Sequence, residues 1–361
     1  MQMNIYISRK TEKEWEKNAG SKAPNDIYKL CEDLGWKMEN MIVPSIRKNK
    51  FEQFINTFIM CKGQWKKIEK SKAKNILYQH PMYWGTTGEF MASKAMKRMK
   101  RRGTAIIVLI NDIDYLRINL EKTSYIKRKL LYNSELSVLK SASAIICHNA
   151  KMKQYLIEQG VKKEKIVELE IFDYLCEKRR ENKRETDIAV AGNLSPEKCG
   201  YIYKMADQNI NISISLYGVG IDQNKKKENM IYNGSYTPEK LPQNINAKFG
   251  LIWDGPEISS CSGTFGKYLR YNNPHKLSLY MAAGIPVITW KEAAIADFVK
   301  ENNVGIVAEN LCNIKSIIEK ITEEQYSLMA QNAENIGRKV RKGHYFTTAL
   351  QKAILICNAK L

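Results

Sequence analysis

The chain has 361 residues, 44% of them apolar, eight cysteines and a net charge of +20. That length exceeds the size at which one core stops growing, so two domains are expected, and the apolar content excludes a disordered chain. The opening MQMNIYISRK is charged too soon for a signal peptide, and no apolar run nears the ~20 residues needed to span a bilayer. A cytoplasmic protein, at most peripheral to the inner face of the cell membrane, is expected.

In chain order, short β-branched runs alternate with helical patterns. The first half predicts strands at 4–8, 75–78, 105–110, 144–147 and 166–169, with helices near 25–34, 51–70, 88–101, 125–141 and 149–159. The second half predicts strands at 187–191, 212–217, 249–253, 287–290 and 305–308, with helices near 197–206, 238–246, 274–283, 293–302 and 312–320. Such alternation implies α/β domains built on parallel sheets with right-handed crossovers. The run EKRRENKRET lacks a hydrophobic period and reads as a linker. The expected division is therefore a domain over 1–176, a linker over 177–186, a second domain over 187–340, and a terminal helix over 341–361 that can pack back on the first domain.

The cysteines show no CxxC and no metal spacing, and most lie in apolar runs such as AIIC at 144–147. They read as buried, reduced thiols. Charge is uneven: residues 1–176 hold 33 Lys and Arg against 19 Asp and Glu, a net of +14. A basic first half points to an anionic partner. In KAMKRMKRR, residues 94–102, Ala95, Met96 and Met99 share one helical face with Ala92 while the basic residues take the other. This suits either a membrane-surface helix or an ordinary solvated face. A nucleic-acid partner is less favoured, because no helix-turn-helix, RNP or zinc pattern accompanies the charge.

In open α/β sheets ligands bind beyond the carboxyl ends of the strands, so residues just after strands carry the information. After the first strand of the second half comes AGNLSPEKCG, in which Gly192 allows close backbone approach and Pro196 suits a first helical turn. Asn193 lies in the same turn, and Lys198 sits near a helix N-terminus, which favours an anion. Tyr217 and Tyr232 follow as either core side chains or surfaces for a nucleobase. Then Asp254 and Gly255 end a strand, and a loop bearing Gly263 and Gly266 leads to YNNPHKLSLY at 271–280. Asn273 fits an N-cap and Pro274 the first helical position. His275 and Lys276 then fall in the first turn, where the helix dipole repels cations unless an anion is present.

FGLIWDG, CSGTFGKYL, NNPHKLSLY and AGIPVITW, in that order, resemble the donor domain of the bacterial β-1,6-galactofuranosyltransferases of O-antigen and other surface polysaccharides. AGNLSPEKC and IFDYL are similar to further segments of that family, as are NAGSKAPND, NDIDYLR and HNAKMKQYL in the first half. The second glucosyltransferase acting on serine-rich-repeat adhesins is a more distant likeness. Two departures stand out: Asn111 replaces the histidine of a His-Asp-Ile pattern, and Ser21 stands where an aromatic is usual.

The resemblance implies a GT-B type fold, two facing Rossmann-like domains with the active site in the cleft. It implies an inverting transfer of galactofuranose from UDP-galactofuranose to a glycan hydroxyl, the acceptor being carried on undecaprenyl pyrophosphate at an anionic membrane surface. A glucosyl- or other hexosyltransferase using a UDP-hexopyranose is the alternative. No metal or other cofactor is expected, since Asp112-Ile113-Asp114, the one Asp-x-Asp spacing noted, lies in the wrong half for the donor. The donor set expected is Gly192, Asn193, Lys198, Tyr217, Tyr232, Asp254, Gly255, Gly263, Asn273, Pro274, His275 and Lys276. For the base Asp112 is the first choice and Asp26 the second, although Asp26 could instead cap the helix from Ile27. Gly20, Ser21, Lys22, His80, Asp114 and Arg117 are expected on the acceptor side, with Asp114 able to pair with Arg117. A homo-oligomer is allowed, and no nucleic acid is expected.

Overall fold

The computed structural model describes every residue except 1–2, 11–20, 44–48, 83–84, 120–121, 178–183, 209, 211 and 360–361. It divides into two compact units. The first contains β1 (Asn4–Lys10), α1 (Lys22–Asp33), β2 (Lys37–Ile42), α2 (Lys50–Lys70), β3 (Asn75–His80) and α3 (Gly85–Lys100). It continues through β4 (Ala105–Ile110), α4 (Asp114–Arg117), α5 (Tyr125–Ser141), β5 (Ala144–Cys147), α6 (Ala150–Glu158) and β6 (Ile166–Glu168). The second contains β7 (Thr186–Asn193), α7 (Pro196–Asp207), β8 (Ile214–Val219), β9 (Met230–Tyr232), α8 (Leu241–Asn244), β10 (Ala247–Ile252) and α9 (Gly263–Tyr268). After these come α10 (His275–Ala282), β11 (Val287–Trp290), α11 (Ala296–Glu301), β12 (Gly305–Ala308), α12 (Ile314–Glu319) and α13 (Glu323–Val340). The last helix, α14 (His344–Asn358), belongs with the first unit from residue 346 onward, and residues 21–23 belong with the second.

Each unit is built on a six-stranded sheet whose pairings are all parallel, in the order β2-β1-β3-β4-β5-β6 and β12-β11-β10-β7-β8-β9. β3 and β4 are buried at every position, as central strands covered by helices on both faces must be. The sequence pattern misses β2, KMENMI, because on this edge strand apolar Met38 and Ile42 are exposed while the charged Glu39 is buried beside Met41. Glu39 is accommodated by Lys67, whose Nζ donates to it at 2.8 Å.

The strand order reverses between β1 and β3 in one sheet and between β7 and β10 in the other. These are the points where an open parallel sheet leaves a crevice at the strand carboxyl ends. One expectation is corrected here. Ala92, Ala95, Met96 and Met99 of α3 are core residues of the first unit, so this apolar face is closed off from any membrane. Seven cysteines are partly or wholly buried and Cys312 is exposed; all eight are free thiols.

Candidate active site

The crevice of the second unit gathers four of the expected segments. Gly192 lies near the end of β7 with φ +111, and Asp254 and Gly255 follow β10. A Cβ placed on Gly192 would meet Cε of Lys276 at 4.0 Å, so the glycine keeps open the space beside that ammonium. Nζ of Lys276 donates to Oδ1 of Asp254 at 3.0 Å. Burial alone would lower the Lys276 pKa, but the Asp254 carboxylate outweighs it and holds the amine charged. The backbone of Lys198 joins the same group, its carbonyl accepting from Gly255 N at 2.7 Å. Its ammonium lies 5.0 Å from the Phe265 ring. Pro196 opens α7 as expected, with Ser195 as the cap and Asn193 Oδ1 accepting from Ser195 N at 2.9 Å.

Gly255 has φ +117, and a Cβ there would press on the Ser262 carbonyl at 2.5 Å, so the 254–262 loop closes only with glycine at this position. Gly263, with φ +68, borders open space. Ser262, on which the residue-level reading of CSGTFGKYL is silent, has a buried hydroxyl with no partner among the described residues. Tyr280 is a second residue that reading leaves out. Its ring fills the place where a side chain on Gly250 would go, and its hydroxyl donates to the Ala189 carbonyl at 3.0 Å.

YNNPHKLSLY does two things at once. Asn273 Nδ2 donates to the Glu170 carbonyl at 2.8 Å. The His275 ring nitrogen Nε2 bonds the Asp173 carbonyl at 3.3 Å, and Ser278 Oγ donates to the Phe172 carbonyl at 2.6 Å. Three side chains at and just before the start of α10 thus fasten the backbone of 170–173 within this unit. Lys276 turns instead to Asp254. The helix starts at His275, one residue later than expected, with Pro274 at the cap position and Asn273 before it.

His275 is corrected from a donor contact to a packed ring. It stacks on Tyr174 at 4.9 Å and 24°. Burial pushes its pKa down to about 4, so the ring is neutral near pH 7 and offers no charge to a diphosphate. The awkward cation pair of the first turn therefore resolves into one neutral histidine and one lysine answered by Asp254. Asn273 is likewise buried and bonded to backbone. Tyr217 is a core side chain, 1% exposed, accepting from Asn246 N, which leaves no face for a nucleobase. Tyr232 is partly exposed on the edge strand β9 and donates to the Gly218 carbonyl at 2.8 Å.

In the first unit the segment after β4, a short loop followed by the single turn of α4, carries Asp112, Asp114 and Arg117. Arg117 Nη1 pairs with Asp112 Oδ2 and lies 3.8 Å from Asp114 Oδ1. Burial, then Glu135, pushes the Asp114 carboxyl above its usual range. Glu135 Oε1 accepts from Asp114 N at 2.7 Å and Oε2 from Tyr115 N at 3.0 Å, which fixes the start of α4.

Behind this loop lies His80, fully buried, with Glu89 3.3 Å from Nδ1 and Glu135 3.6 Å from Nε2. Burial works to lower its pKa, yet the two glutamates overcome it and raise it to about 10. An imidazolium with no exposure is neither a base nor an acceptor contact, which corrects the expectation for His80. Asp26 lies inside α1, buried, and not in a loop or at a cap, because the helix already begins at Lys22. Lys22 is also corrected: its ammonium donates to the Leu175 carbonyl at 2.6 Å and lies 3.3 Å from Glu239, both in the second unit. Ser21 directly precedes α1, and Gly20 lies outside the described residues.

Two parallel six-stranded α/β units, one with a lysine-bearing crevice at its switch point, define a glycosyltransferase of the GT-B type. Solved structures of that kind overlay almost the whole chain. The lipopolysaccharide glycosyltransferase WaaG matches with TM-score 0.60 at 12% identity, covering 98% of this chain and 99% of its own. Sucrose-phosphate synthase from Thermosynechococcus elongatus matches with TM-score 0.58 at 12% identity, covering 98% of each. The chain belongs to the glucosyltransferase 3-like family, whose N-terminal domain matches residues 4–171 and whose C-terminal domain matches residues 188–353. It is 36% identical over 256 residues to the β-1,6-galactofuranosyltransferase WbbI of Escherichia coli strain K12, covering 69% of this chain and 71% of that protein. It is 21% identical over 339 residues to glucosyltransferase 3 of Streptococcus gordonii, covering 92% and 93%.

Proposed function

We propose that this glycosyltransferase moves galactofuranose from UDP-galactofuranose to a hydroxyl of a glycan carried on a lipid pyrophosphate, with inversion, in the synthesis of a surface polysaccharide. The observation that carries the reading is the 36% identity to a β-1,6-galactofuranosyltransferase, against 21% to a glucosyltransferase 3. In this reading the second unit holds the donor. The diphosphate lies along Gly192 and the first turn of α10, where Lys276 donates to it with the N–H groups its Asp254 bond leaves over, and Lys198 adds a second cation. The protein thus bears the charge arriving on the leaving UDP, and no metal is required.

The 111–117 loop of the first unit supplies the base. Asp112 is the first choice, and it accepts the acceptor proton once Arg117 shifts from it to the glycan or to Asp114. Asp114 is the second, because a carboxyl with a raised pKa is the stronger base.

UDP release, measured with UDP-galactofuranose, UDP-galactopyranose and UDP-glucose and a panel of short glycans in the presence of EDTA, tests this. Turnover with UDP-galactofuranose is expected. Turnover with UDP-glucose in its place would replace the reading by that of a glucosyltransferase.

A further inference from the structure

We propose that the outer face of α2 docks the first unit on an anionic phospholipid bilayer. Sequence pattern points to α3 for that task, but the apolar face of α3 is in the core. The first unit does carry an unburied apolar helical stripe, on the neighbouring helix. Phe51, Phe54, Ile55, Phe58 and Ile59 recur at the 3–4 residue spacing that aligns them on one side, and all are exposed, Phe51 by 70% and Ile59 by 63%. The inward side is taken by Cys61, Trp65 and Ile68, so the stripe is not a frayed piece of core.

Farther along the same outer face the residue type changes. Lys62, Lys66 and Lys70 continue the row begun by Ile55 and Ile59 at the same helical spacing, and each is exposed. Residues 51–74 hold six lysines against two glutamates. One of those, Glu69, is tied to Arg98 of α3, so the basic surface of α3 adjoins the lysine end of α2. An apolar half followed by a lysine half is the pattern of a helix whose rings enter the acyl boundary while its ammonium groups meet phosphate headgroups. The lysine half and the net charge of +20 favour an anionic headgroup surface over a second copy of the same basic chain.

The topology adds a placement. β1, β2 and β3 are parallel, so α2 must run back against them and its apolar N-terminal half lies at the carboxyl end of the sheet. The 111–117 loop leaves β4 at that same end. Docking there shortens the distance from the bilayer to the groups assigned to the acceptor. The proposal rests on the reading of a membrane-borne acceptor for its purpose, while its test needs neither donor nor acceptor.

The test is co-sedimentation of the full chain with vesicles of phosphatidylcholine alone and with added phosphatidylglycerol. Wild type is expected to bind the anionic vesicles. The variant Phe51→Gln/Ile55→Gln/Ile59→Gln should bind at least about tenfold more weakly with an unchanged melting temperature. Lys62→Glu/Lys66→Glu should lose the preference for phosphatidylglycerol. Equal binding by wild type and the triple variant would overturn the proposal, as would no vesicle binding at all. A triple variant that only converts a dimer to a monomer would overturn it in favour of self-association.

Discussion

Nζ of Lys276 lies 3.0 Å from Oδ1 of Asp254, and the two side chains are 13% and 11% exposed. Each is the reason the other can be charged there. Removing the lysine alone leaves a mostly buried carboxylate without its cation, at a cost of about 3–5 kcal/mol. Lys276→Ala is therefore expected to be both less stable and about 10²–10³-fold slower in turnover. Lys276→Met with Asp254→Asn separates the two effects. Urea unfolding should show stability recovered, while UDP release stays low. Recovery of turnover in the double variant would remove Lys276 from the diphosphate site.

His275 makes the opposite prediction. Its ring is neutral, stacked and bonded to backbone, so His275→Ala should cost about 1–3 kcal/mol of stability from the lost stacking and hydrogen bond. UDP affinity, measured by calorimetry below the melting temperature, should change less than about threefold, far short of what removing a charged phosphate contact costs. A drop in affinity without a drop in stability would restore the histidine to the donor site.

Two buried histidines of the first unit should give stability opposite pH slopes. Burial lowers His148 to about 4, while its Nε2 bonds the Ile110 carbonyl at 3.0 Å. Below the usual histidine value near 6.5 the unfolded chain takes a proton that folded His148 refuses, so its contribution falls between about pH 6.5 and 4. Glu89 and Glu135 raise His80 to about 10 against burial. Its contribution is fully present below about pH 6.5 and is lost as pH rises toward 10. Unfolding free energies at pH 5, 7 and 9 for wild type and His148→Gln check the first slope. The same series on His80→Gln checks the second.

The His80 variant has a local readout as well. Glu135 accepts the amide protons of Asp114 and Tyr115 and is held by His80. Without the imidazolium, two buried glutamates face each other's charge and one must move or protonate. Amide exchange at residues 114 and 115 should then speed up by at least about tenfold relative to the rest of the sheet, a local opening worth roughly 1.4 kcal/mol. Transfer should slow with UDP binding intact.

Asp112→Asn and Asp114→Asn discriminate the base. The true base variant should bind UDP as wild type does and lose transfer by about 10²–10⁴-fold. If Asp114 is the base, the acid limb of the rate profile should lie above the usual carboxylate range, because burial and Glu135 raise that carboxyl.

The alternation of strands with helices, and with it the parallel α/β architecture, is legible because it rests on patterns that operate over several neighbouring residues. An apolar run such as AIIVLI suits a central strand, Gly255 falls where the chain must approach itself closely, and Gly192 where the backbone turns through a positive φ. What eludes sequence reasoning depends on partners distant in the chain. Lys276 and Asp254 stand 22 positions apart, and His275 meets a carbonyl 102 positions away. The polar stretch at 272–276 therefore looks like a surface for a ligand when half of it serves the protein's own backbone. His80 carries no local sign that Glu89 and Glu135 enclose it. The exposed stripe on α2 reads simply as helix, because periodicity reveals that one face is apolar and not whether that face finds a partner.

The fastening of 170–173 by Asn273, His275 and Ser278 uses only carbonyl oxygens of that segment. Every residue type presents the same carbonyl. The side chains of that segment are fixed by other contacts: Ile171, Phe172 and Asp173 are buried, Asp173 Oδ1 accepts from Tyr345 N at 3.2 Å, and Phe172 meets the His275 ring edge-on. Diverging relatives should therefore preserve both sides of the contact, positions 273, 275 and 278 for their hydrogen bonds and 171–173 for their packing.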